Sequence, residues 1–180
     1  MVAARKGRTA AGPDLAAMLV AAWRTNNAVD VFLVGCIPAE LWAARVPGVP
    51  RKTFRMVAAH IHNSRCTWLK ILGRPQGIPV PALVDRRKVS RRQLIAALKR
   101  SSRGMEALLR LGIRNGGKVP SSPAYVWRNL PLDVGHVLSY FVAHEGHHRG
   151  QIVLAARQLG ARLPAAAING LWQWTKRAAE

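Results

Sequence analysis

Acidic side chains are scarce in this chain: 8 Asp and Glu stand against 28 Lys and Arg in 180 residues, a formal net charge of +20. Such a balance favours polyanions, or small acidic substrates and cofactors, and it bears on association rather than on fold. The basic residues are scattered from Arg5 to Arg177, with one cluster, Arg86-Arg87-Lys88-Val89-Ser90-Arg91-Arg92. A solvated, arginine-rich surface accounts for that spread better than a nucleic-acid track does. Cysteine is nearly missing as well. Cys36 and Cys66 are the two, and neither lies in a C-x-x-C, which argues against a disulfide scaffold or a cysteine zinc site. Both read as buried thiols in a reducing compartment, which points to the cytoplasm. Long apolar runs are absent, since none reaches the ~18 residues that a bilayer span requires.

The first residues place basic side chains before an apolar segment and so faintly mimic a signal peptide. Asp14 interrupts that pattern and no small-residue cleavage site follows. Residues 1–12 are therefore expected to be a disordered basic tail, and residues 13–180 a single domain long enough to bury a full core.

Four helical segments stand out, with no strong strand alternation. The first starts at Asp14, a good N-cap, and stops near Gly35 and Pro38. The second is RKTFRMVAAHIHNSRCTWLKIL, from Arg51, closed by Gly73 and Pro75. The third opens on the capping-box pattern of Ser90 and Gln93 and runs to Gly112. The fourth spans about Asp133 to Leu159, with Gly160 as its stop. Long connections separate them, and AINGLWQWTKRAAE closes the chain as a short helix or turn sealing the bundle. The expected fold is all-α, a four-helix bundle.

The histidines sort by helical geometry. His144 and His148 are four apart, about 40° around the helix, so both can reach one metal ion. On the second helix His60 lies on the face of Met56, Val57, Ser64 and Thr67, whereas His62 is turned ~200° away toward Arg55 and Arg65. The spacing predicts His60 inward and His62 outward. His60 facing the His144/His148 pair would make a three-histidine metal site with positions open to substrate. His147 lies at the edge of that face, and His136 is expected to be structural or to sit behind the ligands.

His144-Glu145-Gly146-His147-His148 also reads as H-E-x-x-H, but the third ligand of a zinc protease is lacking. Gln151 and Leu154 occupy the positions of the extended motif's Gly and His, and the only later acid is Glu180. Glu145 is left either as a base or in a surface pair with Arg149. Tyr140, one turn before His144, is a second catalytic candidate as proton donor or orienter, with helix packing as its alternative.

On these residues the chain resembles the DinB/YfiT-like family of four-helix-bundle proteins. HEGHHRGQI with the following QLG is similar to its fourth-helix signature. FRMVAAHIHNSRCTWLKIL is similar to its second-helix segment, and FLVGCIPAELWAARVPGV to its first-helix-to-loop segment. The resemblance spans most of residues 15 to 163. It implies a divalent metal, zinc or nickel, on His60, His144 and His148, and a homodimer. It also implies, from some relatives, transfer of a low-molecular-weight thiol such as bacillithiol or mycothiol to a small electrophilic substrate. The acidic residues that often follow the second-helix histidine in the family are replaced here by Asn63, Ser64 and Arg65. Two other functions stay open at this point: a hydrolase using metal-bound water, and a basic nucleic-acid-associated stress module with a structural metal.

Overall fold

The computed structural model describes residues 13–180, so the expected tail over residues 1–12 lies outside the described residues. In chain order the elements are α1 (Leu15–Cys36), α2 (Ala39–Trp42), β1 (Arg45–Val46), β2 (Val49–Thr53), α3 (Phe54–Trp68), α4 (Arg91–Arg114), α5 (Val134–Gln158), α6 (Ala165–Gly170) and α7 (Trp174–Ala178). The chain is an all-α bundle of α1, α3, α4 and α5, in which α1 and α3 each pack on both α4 and α5. No helix among the described residues is long and apolar enough to cross a membrane.

Local chemistry sets the helix starts. The side chains of Asp14, Thr53, Ser90 and Asp133 each accept a hydrogen bond from an otherwise unpartnered amide of the first turn. Gln93 returns the bond to the Ser90 amide, completing the expected capping box. The second helix starts later than Arg51, because Arg51–Thr53 belong to β2, in a small antiparallel hairpin whose turn carries Gly48 at φ +70°. It also ends in a π-helical turn, Leu69–Gly73, instead of stopping cleanly.

The core is divided into two apolar clusters. One gathers Leu33, Phe54, Ile61, Leu98, Ile152 and their neighbours, and the other Trp23, Leu72, Met105, Phe141 and theirs. Between them every long helix contributes buried polar residues: Asn26 and Asp30 on α1, Arg65 on α3, Ser101 and Ser102 on α4, Glu145 on α5. Arg65 ties this layer together. It donates to both oxygens of Glu145 at 2.7 and 2.8 Å, to Asp30 at 2.8 Å, and to the Leu98 carbonyl of α4 at 3.2 Å. Its guanidinium also lies 4.8 Å from the Trp23 ring. Arg149 brings a second guanidinium to the layer by donating to Asp30 at 2.6 Å. Burial, with Glu145 beside it, raises the Asp30 carboxyl well above its ordinary value. Burial also opposes ionisation of Glu145, but the Arg65 charge and hydrogen bonds outweigh it and hold that carboxyl low.

This layer corrects the outward placement of Arg65 and His62, both wholly buried. The far side of α3 is not solvated, because α4 and the connection to it cover that side. His62 Nε2 meets the Ala82 carbonyl at 3.0 Å, and the Asn63 amide makes two 3.0 Å bonds with the Val84 backbone. Periodicity alone cannot see a loop that returns along a helix. The terminal segment forms two short helices that pack on α1, as expected of a segment sealing the bundle; Arg177 lies 4.2 Å from the Phe32 ring, while Trp172 is 81% exposed.

Removing one member of a buried ion cluster strands the others. Arg65→Ala is expected to cost about 3–5 kcal/mol in urea denaturation, and Arg65→Lys, which keeps the charge but loses the two-pronged bond, an intermediate amount.

Candidate metal centre

Directly beside this polar layer, α3 and α5 bring His60, His144 and His148 together. Their ligand nitrogens lie within 4.8 Å of one another, the one His/Cys/Asp/Glu group among the described residues that could hold a metal ion. Ring centroids are 5.3 Å apart for His60 and His144, 4.7 Å for His60 and His148, and 4.6 Å for the α5 pair. His148 is buried and the other two are half-buried, so the site is a mouth on the flank of the bundle. A cleft of about 510 Å3 beside Phe32 and Cys36 holds no such group.

The donor set fits a divalent cation. His148 Nδ1 lies 2.8 Å from Gln151 Oε1; an amide oxygen only accepts, so Nδ1 carries the proton and the Nε2 lone pair turns into the site. That nitrogen is 3.2 Å from His144 Nε2. If His144 is protonated on Nδ1, two lone pairs face each other. If it is protonated on Nε2, its buried Nδ1, which has no hydrogen-bond partner, keeps a stranded lone pair. A cation at the convergence would take up the two facing lone pairs, while His144 Nδ1 is without a hydrogen-bond partner in either tautomer.

All three imidazoles are held neutral, the state that binds metal. Burial lowers His60 to about 4, with its histidine neighbours, Arg86 and Lys52 adding to the effect. Burial lowers His144, the neighbouring Glu145 charge partly opposing it. Burial lowers His148 too, against the raising effect of Gln151.

The remaining residues sort cleanly. His136 is exposed and pairs with its own N-cap, Asp133. His147 is exposed and accepts from Gln151 Nε2 at 2.9 Å, so one amide spans two histidines. Tyr140 stacks on His144, with centroids 6.1 Å apart and planes 10° from parallel. Glu145 makes no surface pair with Arg149, whose partners are Asp30 and Asn26. Its own oxygens are taken by Arg65 and by Asn26. Cys66 is buried against His62, and Cys36 is only half-buried. Gln151 went unassigned in the sequence, although its spacing of three from His148 and four from His147 was the available signal.

A family model described as the DinB family matches residues 13–178. The chain belongs to the DinB family. Its match covers the bundle from the α1 cap to α7, and so takes in all three histidines and the Arg65 layer. No curated protein matches this DinB-family chain significantly.

Untagged protein is expected to carry one equivalent of divalent metal by mass spectrometry, lost in His60→Ala. Gln151→Leu, which frees the His148 ring, is expected to weaken zinc binding about 10–100-fold in a chelator competition. The pH dependence follows from the lowered values. Between the ordinary histidine value of 6.5 and about 4, the unfolded chain binds a proton that folded His60 refuses. Metal-free protein is therefore expected to be most stable above that range and to lose thermal stability as pH falls through it. For the same reason, zinc titrated into protein at neutral pH releases little acid.

Proposed function

We propose that the chain is a metal-dependent thiol S-transferase that joins an acidic low-molecular-weight thiol to an electrophilic carbon of a small molecule. The observation that carries this reading is a set of three neutral imidazoles with no carboxylate among them, converging at a half-open mouth flanked by basic side chains. A divalent cation, zinc or nickel, held by His60, His144 and His148 would keep its charge unneutralised and favour the anionic form of a thiol.

The chain's own residues supply the rest. Arg86 donates to the Met56 carbonyl, one turn before His60, and so is held along α3 at the mouth. Lys52 lies in β2, two residues ahead of α3, and its charge acts on both His60 and His148. These two cations are placed to take the carboxylates of an acidic thiol. Tyr140 stacks on the His144 ring, and in this reading its hydroxyl is the candidate to receive or pass a proton. Glu145 acts through position alone, holding α5 against α3 by its bond to Arg65. That engagement disfavours hydrolysis, which needs a free base beside the attacking water. The nucleic-acid reading has only the net charge and the basic cluster beginning at Arg86 behind it. A homodimer, as the resemblance implies, belongs to the same proposal and is read from sedimentation.

Zinc-loaded protein is expected to accelerate addition of N-acetylcysteine to methyl vinyl ketone. In the Lys52→Ala, Arg86→Ala double variant, KM for N-acetylcysteine is expected to rise about tenfold, with kcat little changed. KM for uncharged mercaptoethanol stays as in the wild type. Equal effects on both thiols would mean that the two cations do not bind the cosubstrate.

A further inference from the structure

One side of the mouth is aromatic, and its outermost member is exposed without an evident structural need. From His144 the rings run to Tyr140, then to Trp68 at a centroid distance of 5.5 Å, then to Trp127 at 6.2 Å. Trp68 and Tyr125 are buried and belong to the core, but Trp127 is 57% exposed.

The loop that carries Trp127 is built to keep it there. Ser122 Oγ donates to the Ile71 carbonyl at 2.6 Å, anchoring the loop to the end of α3. The Tyr125 hydroxyl donates to the Leu130 carbonyl and accepts from the Leu130 amide, at 2.8 and 2.7 Å, which closes a tight circuit around residues 126–129. Arg128, directly after the indole, is the one non-glycine residue with positive φ among the described residues, at 46°. A side chain in that region costs free energy that a surface loop avoids unless its direction matters. These features hold an indole face out, continuous with the ring stacked on a candidate ligand.

We propose that Trp127, backed by Trp68 and Tyr140, is a ledge that binds the electrophile, and that this electrophile carries an aryl group conjugated to its reactive carbon. Offset or edge-on stacking on indole and phenol rewards a flat aromatic partner over a small aliphatic one. The acceptor class that fits is an aryl-substituted α,β-unsaturated carbonyl. In the addition the thiol sulfur bonds the β-carbon, the C=C π bond breaks, and the thiol proton ends on the α-carbon. Nothing is oxidised and nothing leaves.

The chemistry in this inference rests on the thiol-transfer reading; the ledge itself does not. The test compares benzylideneacetone with methyl vinyl ketone on zinc-loaded wild type, Trp127→Ala and, as a control outside the ledge, Trp172→Ala. Trp127→Ala is expected to raise the ratio of KM for benzylideneacetone to KM for methyl vinyl ketone about tenfold, and Trp172→Ala to leave it as in the wild type. An unchanged ratio in a zinc-containing, active Trp127→Ala protein overturns the ledge and leaves thiol transfer standing. If no variant holds zinc or turns over, thiol transfer fails instead, and calorimetric titration with benzylideneacetone alone decides the ledge. Binding about tenfold weaker in Trp127→Ala supports it, and equal binding overturns it. A Trp127→Ala protein with unaltered ratio that sediments as a monomer where the wild type is a dimer would make the indole a subunit contact, which also overturns the proposal.

Discussion

The bundle depends on a guanidinium with nowhere to go. Arg65 sits wholly buried between two apolar clusters, and no medium of low polarity accepts that charge unless every donor is met. Its partners come from α1, α4 and α5, so the four long helices have few ways to assemble that leave it satisfied. Sliding α5 along α3 by one turn would withdraw Glu145 and strand a cation and an anion together. Two apolar clusters alone would tolerate such a shift far better, because apolar packing is less particular about register.

The same constraint reaches the metal centre. Glu145 neighbours His144 in the chain, and Arg65 lies five residues after His60. Clamping the first pair across the helix interface sets the height at which the second pair meets. The histidines can then be neutral and gathered closely without falling apart, since their placement is enforced from behind. Gln151 adds the last restraint by fixing the His148 tautomer. A site without carboxylates is consistent with a chain that has few to give, and it leaves the charge of a bound cation to be met by an incoming anion.

Much of this was legible before any coordinates. Asp14, Ser90, Gln93 and Asp133 announce helix starts by chemistry that acts within one turn, and all are found capping. The His144/His148 pair is a matter of helical spacing, and its meeting with His60 followed from reading α3 as a helix with one face toward α5. The reading of His62 and Arg65 as outward failed for a definite reason. It assumed that each helix has one buried face, whereas α3 is covered on its other side by α4 and by residues 78–90, which pair with His62 and Asn63. The short hairpin was missed because its pairing is too brief to leave an alternating pattern.

What the sequence by itself determined is therefore whatever depends on near neighbours along the chain: the caps, the helical faces, the α5 histidine pair, and the family to which the chain belongs. The tertiary structure decided which polar residues are buried together, that Arg65 and Asp30 face each other across 35 residues of chain, and that the exposed Trp127 meets Trp68, which in turn meets Tyr140. Those relations rest on distances between helices. Such distances are fixed by packing and by the need to satisfy a buried charge, and neither is written at any fixed spacing in the sequence.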